Sequence, residues 1–260
     1  MSILEPNHCY SFSQLSTFDE CPYSFYLQKI ASKEEEIVEK ENAFAQHGTL
    51  IHDLLDQWGK GILNRVQLVE EYERRYPDEV TVAFPAVLAS KGYAQKAYEL
   101  GLNYFKNFEG FPGYTIISSE EKFKTDIEGR PFAGVIDLVL KHNKTGKVVI
   151  VDHKSKSKSS FKKEENKMYR QPYLYAKHIY EAYHVWPDEL TFNLFKENGM
   201  LMTRVFSKED YDQIYDWAAK TIESIETYDL LDWMNAKEKS DFFCQEICGV
   251  RDYCPNGILK

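Results

Sequence analysis

Asp152, His153 and Lys154 follow directly on the apolar run VVIV (148–151), so an acid and a lysine two residues apart end what reads as a buried strand. Side chains two apart on a strand share a face, and a strand end is a rigid mount. A second acid, Asp137, lies inside another apolar stretch, GVIDLVL (134–140), where a carboxylate is costly unless something positive compensates it. If the two stretches pair as a hairpin, both carboxylates converge. Hard oxygen ligands suit Mg²⁺ or Mn²⁺, and Lys154 beside them would neutralise phosphate charge or orient an attacking water. The competing reading is structural: strand-end acids paired with Lys147 or Lys154.

The elements that must position these residues are legible in outline. YTIISSEEKFKTDI (114–127), RPFAGVIDLVLKH (130–142) and KVVIVDH (147–153) are rich in β-branched and aromatic residues, and EG and NKTG between them are hairpin signals. ELTFNLFK, ENG and MLMTRVFS read as a second strand pair. Ser13 is a candidate cap for a helix through QLSTFDE, and Pro22 suits the first turn of a helix over 22–30. Residues 43–61 carry Leu50, Leu54 and Trp58 at helical spacing, and 64–75, 91–108 and 207–228 also read as helices. A further helix over 168–184 is expected to hold Pro172 in its first turn. Residues 32–41 read as an exposed connection, and the lysine-rich run HKSKSKSSFKK (153–163) as a solvated loop or a phosphate grip.

The expected architecture is one mixed α/β domain over 1–260, with a central sheet flanked by helices. A mostly helical part covers 1–110, the sheet and its helix 111–206, and a closing helix with a cysteine segment 207–260. A net charge of −9 excludes a protein coated in basic surface, though a local basic strip remains compatible with nucleic acid. No apolar run approaches the roughly 18 residues needed to span a bilayer. The N-terminus lacks a basic region followed by an apolar one, so a reducing cytoplasm is the expected compartment. Three of the five cysteines, Cys244, Cys248 and Cys254, fall within CQEICGVRDYC, and such grouping in a reducing compartment points to metal more than to disulfide.

GVID, fourteen residues and then DHK resembles the D…(D/E)xK signature of the PD-(D/E)XK nuclease superfamily. HGTLIHDLL, with Gly48 and His52, resembles the G-x-x-x-H segment of its RecB-like members, His47 being the rival histidine. QPYLYA, with Gln171 and Tyr175, resembles their Q-x-x-x-Y motif, and SFSQLSTFDECPYSFYLQKI their S-x-S-x-L…C-P-x-x-F opening. The resemblance covers most of the chain. It implies a restriction-endonuclease-like fold and a Mg²⁺- or Mn²⁺-dependent DNA exonuclease with Asp137, Asp152 and Lys154 catalytic. His52, Asp137, Asp152 and the carbonyl of His153 would hold the metal. Gln171, Tyr175, Lys156 and Lys158 would support the site or the DNA, with Lys162 and Lys163 as further phosphate contacts. RecB-like proteins also carry a glutamate on the preceding strand, and Glu120 and Glu121 both qualify. They point to opposite faces, and the choice stays open.

One cysteine near the start and three near the end, Cys21, Cys244, Cys248 and Cys254, resemble the iron–sulfur members, such as the nuclease domain of AddB and the four-cysteine exonucleases of CRISPR adaptation. The resemblance implies a 4Fe-4S cluster joining the two chain ends, with zinc as the alternative. The C-x3-C-x5-C spacing departs from the usual x2 first gap. Implied partners are DNA, single-stranded or with free ends, in recombination, repair or replication, and a separate helicase or recombination protein, since the chain has no Walker-type loop. The alternatives are a non-catalytic DNA-binding scaffold and a CRISPR-adaptation trimming nuclease.

Overall fold

The computed structural model describes residues 4–5, 7–33, 36–229, 240 and 242–258. In chain order the helices are α1 (Phe12–Glu20), α2 (Pro22–Lys29), α3 (Ala43–Gly59), α4 (Arg65–Glu79), the single turn α5 (Ala86–Ala89), α6 (Tyr93–Asn107), α7 (Lys158–Lys163), α8 (Glu165–Tyr183) and α9 (Lys208–Thr227), with a last turn at Pro255–Ile258. The strands are β1 (Tyr114–Ile127), β2 (Arg130–His142), β3 (Val148–Lys154), β4 (Glu189–Leu194) and β5 (Met200–Val205). The chain gathers into two compact units, one of residues 43–123 and 134–212, the other of 1–42, 124–133 and 213–260.

The first unit is built on a five-stranded sheet in chain order. β2 and β3 are antiparallel, β3 and β4 parallel, and β4 and β5 antiparallel, so the sheet is mixed, as expected. β3 is central and buried from Val148 to His153. A strand covered on both faces has no solvent side, which is why it reads as an unbroken apolar run. On one face Leu138, Leu140, Val149 and Val151 meet Trp58 of α3, Phe111, Tyr114 and Ile116. Phe192 of β4 packs instead with Phe161 and with Tyr169 of α8. α3, α4 and α6 close a second core around Leu54, Leu68, Tyr72, Tyr104 and Phe105. β5 forms an edge and exposes Leu201, Thr203 and Val205.

In the second unit the loop ends of β1 and β2 are tied to remote segments. Tyr10 forms a bridge with Phe132, and Arg130 Nε donates to both carboxylate oxygens of Glu226 at 3.2 and 3.1 Å. Leu27, Ala31 and Val250 make a small core there with Tyr23, Tyr26, Cys248 and Cys254.

Three local expectations are corrected. The cap of α1 is Ser11, whose hydroxyl accepts from Gln14 N, and not Ser13. Pro172 lies inside α8, because the helix begins at Glu165. The ring removes one intrahelical bond there, and burial of Tyr169, Tyr173, Leu174 and Tyr175 around it keeps the helix continuous. The lysine run is not all loop: Ser157 caps α7 by accepting from Ser160 N. No helix among the described residues is long and apolar enough to cross a membrane.

Candidate active site

β2 and β3 carry the acids. Their register pairs Leu138 with Val151, and one step further Asp137 comes level with Asp152. At this point a side chain takes over from the ladder: His153 N donates to Asp137 Oδ2 at 2.7 Å. The adjacent helix α3 places His52 Nδ1 at 3.4 Å from Asp137 Oδ2 and 3.8 Å from Glu120 Oε1. His52, Glu120 and Asp137 each offer a ligand atom within 4.8 Å of the others, the one such group among the described residues. Of the paired acids the sequence offered, Glu120 therefore faces the site. Glu121 turns away to His178 and Tyr183. Glu120 has a left-handed φ of 48°, a conformation costing a non-glycine residue about 1–3 kcal/mol and typical of functional positions.

Asp152 is 5% exposed, with the Lys154 ammonium 2.7 Å from its Oδ2. The Lys154 ammonium is thus the charged partner of this buried oxygen, and no other hydrogen-bonding group reaches it among the described residues. A carboxylate held by a single cationic group has lone pairs left for a metal ion, and the imidazole and oxygen donor set suits Mg²⁺ or Mn²⁺. Burial pushes the Asp152 carboxyl up to about 6, Lys154 working against it and Asp137 with it. Asp137 is raised by burial too, against the pull of His52 and Lys154. Burial acts to lower His52, but Asp137 and Glu120 outweigh it and hold the imidazole above its usual range. Lys154 is likewise raised, the two aspartates overcoming burial. Crowding three acids, two of them largely buried, around a histidine and a lysine thus makes a site poised for a positive ion.

The supporting residues are placed as follows. His153 is buried and its imidazole is depressed by that burial. Asn193 Nδ2 lies 3.0 Å from its Nδ1 and 2.7 Å from Tyr104 Oη, which fixes the ring's orientation. Gln171 Nε2 donates to Tyr175 Oη at 3.2 Å. The Tyr175 phenol is raised by burial and then by Asp152 and Asp137, which puts it within the field of the acids. Lys156 is engaged by Glu164 and Lys162 by Glu165, whereas the Lys158 and Lys163 side chains are exposed and Lys158 N donates to Glu197 at 2.8 Å. His47 is not part of the site. It is buried among aromatic rings, donates to Tyr72 Oη at 2.9 Å and is lowered to about 4 by burial. The residues that sequence reasoning missed are Asn193 and Tyr104. A lone asparagine inside the apolar ELTFNLF (189–195) was the available signal.

Residues 10–255 match the PD-(D/E)XK nuclease superfamily. The chain belongs to that superfamily. No curated protein matches the chain. PD-(D/E)XK proteins are generally nucleases that act on DNA with divalent metals, and the His52–Glu120–Asp137 group offers a metal a place to bind.

The thiols fit the sequence expectation less well. Cys21 stands between α1 and α2, Cys248 ends the turn Phe243–Ile247 that holds Cys244, and Cys254 ends the turn Arg251–Tyr253. The Cys254 thiol is raised by burial, against backbone N–H groups of Asn256 and Gly257, with Cys21 and Cys248 near enough to add. All five cysteines are free, and among the described residues no three thiols gather within 4.8 Å. A tetrahedral zinc with sulfurs at about 2.3 Å holds them closer together than that. The thiols are thus not gathered as a tetrahedral zinc would hold them, and the expected four-thiolate cluster is not shown among the described residues.

Proposed function

We propose that the chain is a Mg²⁺- or Mn²⁺-dependent deoxyribonuclease acting from DNA ends, with the metal held by His52, Glu120, Asp137 and Asp152. The observation that carries this is the His52–Glu120–Asp137 group, beside which Asp152 and Lys154 lie close enough to act on His52, and Lys154 on Asp137. The bound metal would lower the pKa of a coordinated water and stabilise charge on the scissile phosphate. His52, through Nδ1, and the three carboxylates would orient the ion. His153, through its N–H, holds Asp137 in place. Lys154 sits where its ammonium can position the attacking water and offset the charge that accumulates on the phosphate oxygens. Tyr and Phe side chains near the site are candidates for stacking unpaired bases.

End-directed cleavage, a role in recombination, repair or replication, and a separate helicase partner rest on the RecB-like resemblance. The test is incubation with end-labelled linear and circular DNA, single- and double-stranded, with Mn²⁺ or chelator. Expected is Mn²⁺-dependent release of short products from linear DNA alone, abolished in Asp137→Asn. Chelator-resistant cleavage, or full activity of Asp137→Asn, would overturn the assignment, and cleavage of circles would make the enzyme an endonuclease.

A 4Fe-4S cluster on Cys21, Cys244, Cys248 and Cys254, or zinc there, is a separate proposal. What supports it is the half-buried Cys254 thiol, with Cys21 and Cys248 near enough to act on it. Iron content and visible absorption of the purified protein decide it.

A further inference from the structure

Residues 118–121, Ser-Ser-Glu-Glu, contain Glu120, the one non-glycine residue with positive φ inside a described strand. A regular strand alternates its side chains, but here two consecutive residues turn to the same helix. Ser119 Oγ donates to Asp56 Oδ1 of α3 at 2.8 Å, and Glu120 approaches His52 of that helix. The outer two turn the other way. This is the two-residue signature of a bulge.

The far side of the bulge is held by α8. Glu121 accepts from His178 Nε2 at 2.7 Å, from Tyr183 Oη at 2.8 Å and from Ser118 Oγ. The Ser118–Glu121 bond spans the two bulged residues from outside. His178 is itself fixed, its ring stacked on Phe123 at 4.7 Å and 12°. On the near side Gly59 leaves no room for a methyl group, which would stand 2.6 Å from Ser119 Oγ. Backbone that prefers to relax from a left-handed conformation is thus pinned on both sides.

We propose that Glu121, His178 and Tyr183 form a positioning clamp that holds the bulge open and thereby presents Glu120 to the metal. The inference rests on the metal-site reading above and assigns the three residues no contact with metal or DNA. Loss of the clamp lets the strand regain regular alternation, which withdraws the Glu120 carboxylate from His52.

Titration of the full-length protein with Mn²⁺, followed by electron paramagnetic resonance, tests it without recourse to cleavage. His178→Ala should weaken Mn²⁺ binding about tenfold, the usual cost of losing a residue that orients a ligand. His178→Gln, which retains an N–H donor, should restore most of it, and Tyr183→Phe should weaken binding by a smaller factor. In a Glu120→Ala background, His178→Ala should cause no further loss, because the clamp acts only through Glu120. Unchanged Mn²⁺ affinity in Tyr183→Phe and His178→Ala would overturn the proposal, as would an equal loss with and without Glu120. Failure of the metal-site reading has another signature, Asp137→Asn binding Mn²⁺ as tightly as the wild type, and it would remove the clamp's purpose as well.

Discussion

Lys154 separates binding from chemistry. Its ammonium lies 2.7 Å from Asp152 Oδ2, so it competes with a cation for the same carboxylate while serving the phosphate once substrate is present. Lys154→Ala should therefore keep or tighten Mn²⁺ binding, while lowering the cleavage rate by about 10²–10³ through loss of a preorganised charge. A parallel loss of metal affinity would show the lysine to be structural. Asp152 gives the pH dependence. Its folded pKa of about 6 exceeds the unfolded value of about 3.9, so in metal-free protein its contribution to stability is complete below about pH 4 and is lost as pH rises through 6. A metal takes the proton's place. The rise in melting temperature on adding Mn²⁺ should be large at pH 7.5 and small at pH 5, and a shift independent of pH would exclude Asp152 from the binding step. At this scale residue type and spacing were enough to single out Asp137, Asp152 and Lys154 as candidates, whereas His52 was singled out only by the family resemblance. It could not choose between Glu120 and Glu121, because the choice depends on a bulge made by contacts to α3 and α8, remote in the chain.

At the scale of elements, the sheet was legible because its turns are marked by the sequence. Gly129 and Gly199 sit at φ of 77° and 81°, in the EG and ENG turns that hairpin chemistry requires. The start of α8 was less legible: a proline signals a first turn by its missing N–H, whereas the helix here continues back to Glu165 on the strength of its buried aromatic face. α7 was obscured by its lysines, which read as solvated chain until Ser157 is seen capping them. The helix also sorts those lysines. Lys156 and Lys162 are engaged by acids, while Lys158 and Lys163 are exposed. The double variant Lys158→Ala/Lys163→Ala should weaken DNA binding and reduce the slope of log affinity against log salt by about 1–2. Lys156→Ala should change the slope less. Equal slopes in all three proteins would remove α7 from the interface.

At the scale of the whole molecule, a net charge of −9 and a DNA substrate are compatible because the negative excess includes Glu120, Asp137 and Asp152, which a divalent ion would partly neutralise. The cysteine pattern shows what sequence cannot supply: spacing suggests a shared ligand, but whether thiols meet depends on how the closing segment settles against α1 and α2. The edge of the sheet bears on how the protein behaves in the tube. β5 ends the sheet among the described residues with Leu201 51% and Val205 71% exposed, apolar side chains on an edge strand where other proteins favour charge. Concentrated samples should self-associate through this edge, and Val205→Lys should keep light scattering flat as concentration rises while leaving cleavage untouched. If scattering grows equally in both, the colloidal weak point lies elsewhere.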